Sequence, residues 1–152
     1  MTDMNSAKDA LGLKIKAIKK KKKLTWKQIG EAVGMSPVWT TAALLGQMSM
    51  EPQHAEKAAK FLGLSPEEAE LLCEIPYRGS LPTAVPTDTL IYRFYELVQV
   101  YGTTWKTMIE EEFGDGIMSA IDFDMTMERL PDPKGDRVKL TMSGKFLSYK
   151  RY

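Results

Sequence analysis

Residues 87–123 read TDTLIYRFYELVQVYGTTWKTMIEEEFGDGIMSAIDF, and the change of period inside this stretch sets the fold class. Thr87 or Asp88 can cap a helix, after which Leu90, Phe94, Leu97, Val98 and Tyr101 share one stripe at about 100° per residue, with Ile91 at its edge. Gly102 is expected to stop that helix. A second one, from Thr103 or Thr104 to Phe113, places Trp105, Met108 and Ile109 on one face and closes at Gly114. The Gly114-Asp115-Gly116 turn is then expected to deliver Ile117-Met118-Ser119-Ala120 into a tight bend.

Beyond the bend the period falls to two. Ile121, Phe123, Met125 and Met127 alternate with Asp122, Asp124, Thr126 and Glu128. After the turn Pro131-Asp132-Pro133-Lys134-Gly135 a second strand repeats the pattern with Val138, Leu140 and Met142. A lone two-stranded hairpin is marginal in water, and no third clear strand follows. Its partner is therefore expected to be the hairpin of a second copy, giving a four-stranded sheet and an intertwined dimer with hidden edges.

Upstream, Ile75 to Pro86 carries three prolines and Gly79, which forbid a continuous helix and mark an extended linker. Before it the chain is helical. Leu11, Ile15 and Ile18 recur at helical spacing, and Thr25 with Gln28 three residues on forms a capping sequence. Gly34 suits the end of that helix, and Ser36-Pro37 the start of the next. Met50 to Leu62 supplies another helix closing at Gly63, and Ser65-Pro66-Glu67-Glu68 opens one that runs to Cys73. The expected architecture is α+β: an all-helical bundle resembling a helix-turn-helix DNA-binding domain over residues 1–75, a linker over 76–86, and two helices plus a β-hairpin over 87–152.

The helix-turn-helix pattern raises a rival function, a DNA-binding regulator with the lysine run Lys19 to Lys23 on phosphates. The segment that would read bases, Pro37-Val38-Trp39-Thr40-Thr41-Ala42-Ala43-Leu44-Leu45, has none of the Arg, Asn, Gln or Lys side chains that bond base edges. It is composed to pack. Among the 152 residues, 21 Lys and Arg balance 20 Asp and Glu, so no global field draws in nucleic acid or a membrane surface. A small anion would have to be held by local charge. The single Cys73 allows no intrachain disulfide, and neither a signal-peptide core nor an apolar run of membrane-spanning length occurs, which places the chain in the cytosol or a similar reducing compartment. His54 is the one histidine, and no zinc-ligand spacing is present, so no cofactor is expected.

Three residues stand apart from these packing patterns. Arg93 and Glu96 fall together on the flank of their helix, where the ordinary reading is a surface i,i+3 ion pair. Ser119 lies in the glycine-bounded turn, where the ordinary reading is a turn residue; with no Gly-x-Ser-x-Gly pattern and no histidine near it in sequence, a hydrogen-bonding role outranks that of a triad nucleophile. The words IYRFYE, QVYGTTWK and FGDGIMSAIDF that contain these residues closely resemble the C-terminal region of the cyanases, or cyanate lyases, and the likeness continues more weakly upstream through TAALLG and IPYRG. The family's catalytic arginine, glutamate and serine fall on Arg93, Glu96 and Ser119.

The resemblance implies a lyase that converts cyanate and bicarbonate into carbamate and carbon dioxide, the carbamate then giving ammonia and a second carbon dioxide. It implies that bicarbonate is a co-substrate rather than an activator, and that there is no cofactor. It also implies a homodecamer of five dimers, and a helical N-terminal domain that looks like a DNA-binding domain without that role.

Overall fold

The computed structural model describes residues 2–152, with side chains from residue 6 onward. Six helices precede two strands: α1 (Thr2–Lys21), α2 (Trp26–Val33), α3 (Pro37–Leu44), α4 (Pro52–Leu62), α5 (Pro66–Cys73), α6 (Thr89–Phe113), β1 (Gly116–Leu130) and β2 (Arg137–Ser148). The expected α+β class holds. Contacts divide the chain into two compact units, one comprising the chain through Gly79 with Met125–Thr141, the other Ser80–Asp124 with Met142–Tyr152.

The bundle follows from its caps. Thr25 accepts a hydrogen bond from Gln28 N at 3.1 Å while Gln28 Oε1 accepts from Thr25 N at 2.8 Å, and Ser65 with Glu68 repeats the reciprocal arrangement at 3.1 and 2.8 Å. Gly34 and Gly63 close α2 and α4 in the left-handed region, at φ of 82° and 75°. Ser36, expected to cap α3, makes no capping bond through its side chain, and Pro37 alone starts that helix. Glu68 also pairs with Lys14 of α1; that hydrogen bond first, and the Ser65 amide second, hold its carboxyl below the ordinary value. The resulting stability is present above the normal carboxylate range and fades as pH falls through the lowered pKa. Ser65→Ala should cost about 1 kcal/mol in thermal unfolding; an unchanged midpoint would show that α5 is held by its packing alone.

Leu11, Ile15, Ile29, Val33, Leu44, Ala58, Leu62 and Leu72 are buried and belong to the core of this bundle. A methyl on Gly30 would stand 2.8 Å from Pro37 Cα, so the tight approach of α2 to the start of α3 requires glycine. Three carbonyls at the C-terminus of α5 accept bonds from outside the helix: Lys8 Nζ donates to Leu71 O at 2.6 Å, where the Glu74 amide also donates at 3.3 Å, Met50 N to Leu72 O at 2.9 Å and Ser49 Oγ to Cys73 O at 2.6 Å. Lys8 is 5% exposed, and burial lowers its pKa against the opposing charges of Glu74 and Cys73.

The lysine run is largely accounted for locally. Lys19, Lys20 and Lys21 occupy the last turn of α1, where positive charge meets the negative end of the helix. Lys19 Nζ lies 5.1 Å from the centre of the Trp26 ring, and Lys22 Nζ reaches Phe61 O at 3.4 Å.

The C-terminal part departs from expectation in two places. The sequence reading stops a helix at Gly102 and starts another at Thr103 or Thr104, but α6 is one helix of 25 residues. A glycine in a helix interior costs only about 1 kcal/mol, less than breaking the backbone ladder on both sides of it. Local contacts bridge the position as well: Tyr101 and Trp105 stack at 6.3 Å, and Thr107 Oγ1 donates to Thr103 O at 2.9 Å inside the helix instead of capping a new one. The second departure is that residues 116–120 are the start of β1, not a bend before it.

No residue of α6 is buried in the single chain. Its apolar stripe is open to solvent, Leu90 being 68% exposed and Trp105 44%, and on the hairpin Ile121, Val138 and Met142 are open too. Contiguous apolar surface on this scale marks an interaction site.

Candidate functional site

Asp88 fixes the start of α6 by accepting from Leu90 N at 3.0 Å and Ile91 N at 2.9 Å, which sets the phase of everything along the helix. One turn on, Arg93 Nη1 donates to Glu96 Oε2 at 2.8 Å. The side chains are 68% and 47% exposed. From Thr89 to Trp105 these two are the only charged residues, and Tyr92, Phe94, Leu97 and Val100 around them are all exposed apolar or aromatic groups. The hydrogen bond to Glu96, followed by that carboxylate's charge, raises the Arg93 pKa above an already high value. Arg93 is thus a permanent cation, and its partner carboxylate holds it in place.

Ser119 is placed differently. It is 4% exposed, and its Oγ accepts from Ile121 N at 3.0 Å and Asp122 N at 2.9 Å. In a regular strand successive N–H groups point to opposite sides, so two neighbouring amides reaching one oxygen require a local break in the pleat. Other observations locate the same break. Gly116 lies against Leu147 and, three residues on along each strand, Ser119 lies against Gly144, so pairing is regular up to there. β1 has 15 residues to 12 in β2, and the surplus must fall beyond Ser119. Ser119 and Ile121 would share a face in a regular strand, yet they are 4% and 97% exposed. The strand bulges immediately after Ser119.

A serine hydroxyl has two acceptor positions and one hydrogen. Both acceptor positions are taken by amides, so the hydrogen of Ser119 is left to donate outward. Among the described residues no hydrogen bond joins Ser119 to Arg93 or Glu96: the structure brings the ion pair together and leaves the serine on its own element.

The amides of Ile121 and Asp122, and Gly144 opposite Ser119, were missed from sequence. The glycine in an alternating strand was the available signal, since glycine there marks a bulge or a close backbone approach. An open cleft of about 300 Å³ lies between α6 and the start of β1, lined by Trp105, Ile109, Ile117 and Met118 among others. It includes none of Arg93, Glu96 or Ser119, and its lining is mostly apolar; we place the chemistry on the charged groups. Among the described residues no group of three or more His, Cys, Asp or Glu could hold a metal, and no helix is long and apolar enough to cross a membrane.

Comparison with known proteins gives consistent matches. Residues 8–76 match the family model described as cyanate hydratase, N-terminal, and residues 83–151 match that of the cyanate lyase C-terminal domain. The chain is 63% identical over 134 residues to a cyanate hydratase of Dechloromonas aromatica, covering 88% of this chain and 91% of the relative. It is 62% identical over 132 residues to one of Ralstonia pickettii, covering 87% and 90%. Among solved structures, the crystal structure of cyanase from T. urticae superposes with a TM-score of 0.82 at 40% identity, covering 91% of this chain and 97% of that one.

Proposed function

This chain belongs to the cyanate lyase family, and on that premise we propose that it joins cyanate to bicarbonate at a site built on Arg93, Glu96 and Ser119. The observation that carries the reading is a permanent cation and its carboxylate set alone in an apolar surface that has to be covered. Once covered, the pair leaves water, where holding two charges is costly unless they are used, and where their fields act more strongly on a bound anion.

The reactants are two small anions. An oxygen of bicarbonate attacks the carbon of cyanate, a proton passes to nitrogen, and the dianion loses carbon dioxide to leave carbamate. Cyanate, bicarbonate and one proton balance carbamate and carbon dioxide; a second proton releases ammonia and another carbon dioxide. Every carbon keeps its oxidation state, so we assign no cofactor. Arg93 holds the reactants and the dianion through its planar fork of donors. Ser119 donates its remaining hydrogen to a carboxylate oxygen. Glu96 orients Arg93, whose positive charge offsets the repulsion a bare carboxylate would exert on two anions, and assists proton movement.

The single arginine assigned to the site in each chain is little for two anions, and Ser119 is not joined to the ion pair within a chain. We therefore assign each site to residues from several subunits, in a homodecamer of five dimers. The exposed stripe of α6 and the two-stranded sheet support that assembly. The division into an N-terminal module over 1–75 and a catalytic module over 87–152, joined by 76–86, is supported by the spans of the two family models. The lone free thiol, Cys73, fits a reducing compartment such as the cytoplasm. A regulator that reads DNA is the weaker account, since α3 buries Thr40, Ala43 and Leu44 and carries no base-reading side chain.

At fixed cyanate in carbon-dioxide-depleted buffer, ammonia release should rise with added bicarbonate and saturate. A rate indifferent to bicarbonate would leave plain hydrolysis and remove the co-substrate.

A further inference from the structure

Resting on the assignment of Ser119 made above, we propose that Gly144 is a positioning residue for the reaction, aiming the Ser119 hydroxyl by letting β2 press against the Ser119 carbonyl. A methyl group at position 144 would stand 2.4 Å from Ser119 O, 2.6 Å from Met118 Cγ and 3.3 Å from Met118 Sδ. The methionine can turn away, but the Ser119 oxygen is backbone and moves only with the strand. Relieving that contact displaces Ser119 by about 1 Å, a misplacement that costs on the order of 10²-fold when it falls on a reacting geometry.

The displacement reaches the hydroxyl because nothing between the two is slack. Ser119 is 4% exposed, and its Oγ is fixed by the amides of Ile121 and Asp122 in the bulge that begins there. The aim of the remaining hydrogen thus depends on where β2 holds the Ser119 backbone. Glycine weakens a strand interior, so its presence opposite Ser119 answers a need for close approach. Gly116 offers a matched comparison: a methyl there would stand 2.3 Å from Leu147 O, a clash of the same kind against the same ladder, but not against the backbone of Ser119.

The test is a double-mutant cycle on the assembled full-length protein, following cyanate-dependent ammonia release and oligomer size. Gly144→Ala should lower kcat by about 10- to 100-fold with the oligomer intact, and should add less than about 2-fold when Ser119 is already Ala, because the group it aims is gone. Gly116→Ala should cost the same factor in both backgrounds. An unchanged rate in Gly144→Ala, or an equal loss with and without the Ser119 hydroxyl, would overturn the proposal. Should Gly144→Ala fail to assemble where Gly116→Ala, with its comparable backbone clash, still assembles, the contact serves folding and the proposal is overturned. Full activity in Ser119→Ala would instead defeat the assignment of Ser119 itself, a different failure and separately visible.

Discussion

Arg93→Leu should lower cyanate decomposition by about 10³- to 10⁵-fold, the range over which a single arginine acts on transition-state charge in phosphoryl transfer, while the oligomer keeps its size. The dianion formed from cyanate and bicarbonate carries its charge where the guanidinium fork can bond it, and no other cation lies between Thr89 and Trp105 to take over. Leucine matches the apolar neighbours of Arg93 but leaves the Glu96 carboxylate unpaired once the surface is covered, so the companion variant Arg93→Leu/Glu96→Gln, which removes both charges, should assemble at least as well as Arg93→Leu. Arg93→Lys keeps the charge without the planar fork and should recover only part of the rate. Because the Glu96 bond raises the Arg93 pKa further, the wild-type rate should show no titration of this group at neutral or mildly alkaline pH. Loss of assembly in both Arg93→Leu and Arg93→Leu/Glu96→Gln would make the residue structural and the assignment wrong.

Ser119→Ala should cost about 10- to 1000-fold in kcat, the scale of one lost oxyanion donor. The substitution also strips the Ile121 and Asp122 amides of their shared acceptor, so some of its effect is on the bulge itself. Ser119→Thr separates the two. It keeps the oxygen that binds the amides and the hydrogen left free to donate, and should retain most of the activity if its methyl is accommodated. Turnover unchanged in Ser119→Ala would remove the hydroxyl from the site.

The helical half was legible because its signals are local. Thr25 with Gln28, Ser65 with Glu68, and the glycines at 34 and 63 act within one turn of the chain, and each behaves in the structure as those residue types dictate. Lys8 was not legible. Its role depends on a carbonyl 63 residues away, and a lysine near the start of an amphipathic helix gives no hint that it will be buried.

Gly102 misled because glycine propensity is a weak term that the surrounding helix overrides. Glycine spacing likewise suggested a turn through Gly116 and a tight bend over Ile117 to Ala120, where β1 in fact already runs and Gly116 serves close strand approach. The candidate residues could be named from sequence, but not how Ser119 is held. A bulge is a mismatch between two strands, and neither strand's own alternation reveals it. The apolar stripe on α6 was legible in the sequence, and in the single chain it lies open to solvent.

The central claim is that bicarbonate is consumed with cyanate. Carbon dioxide and ammonia should be counted together from the purified oligomer, given cyanate and limiting bicarbonate in carbon-dioxide-depleted buffer. With product carbon dioxide swept continuously from solution so that it cannot hydrate back to bicarbonate, about two carbon dioxides per ammonia and release that stops when bicarbonate runs out are the predicted result; one per ammonia without regard to bicarbonate, or no release from an intact oligomer, would contradict it.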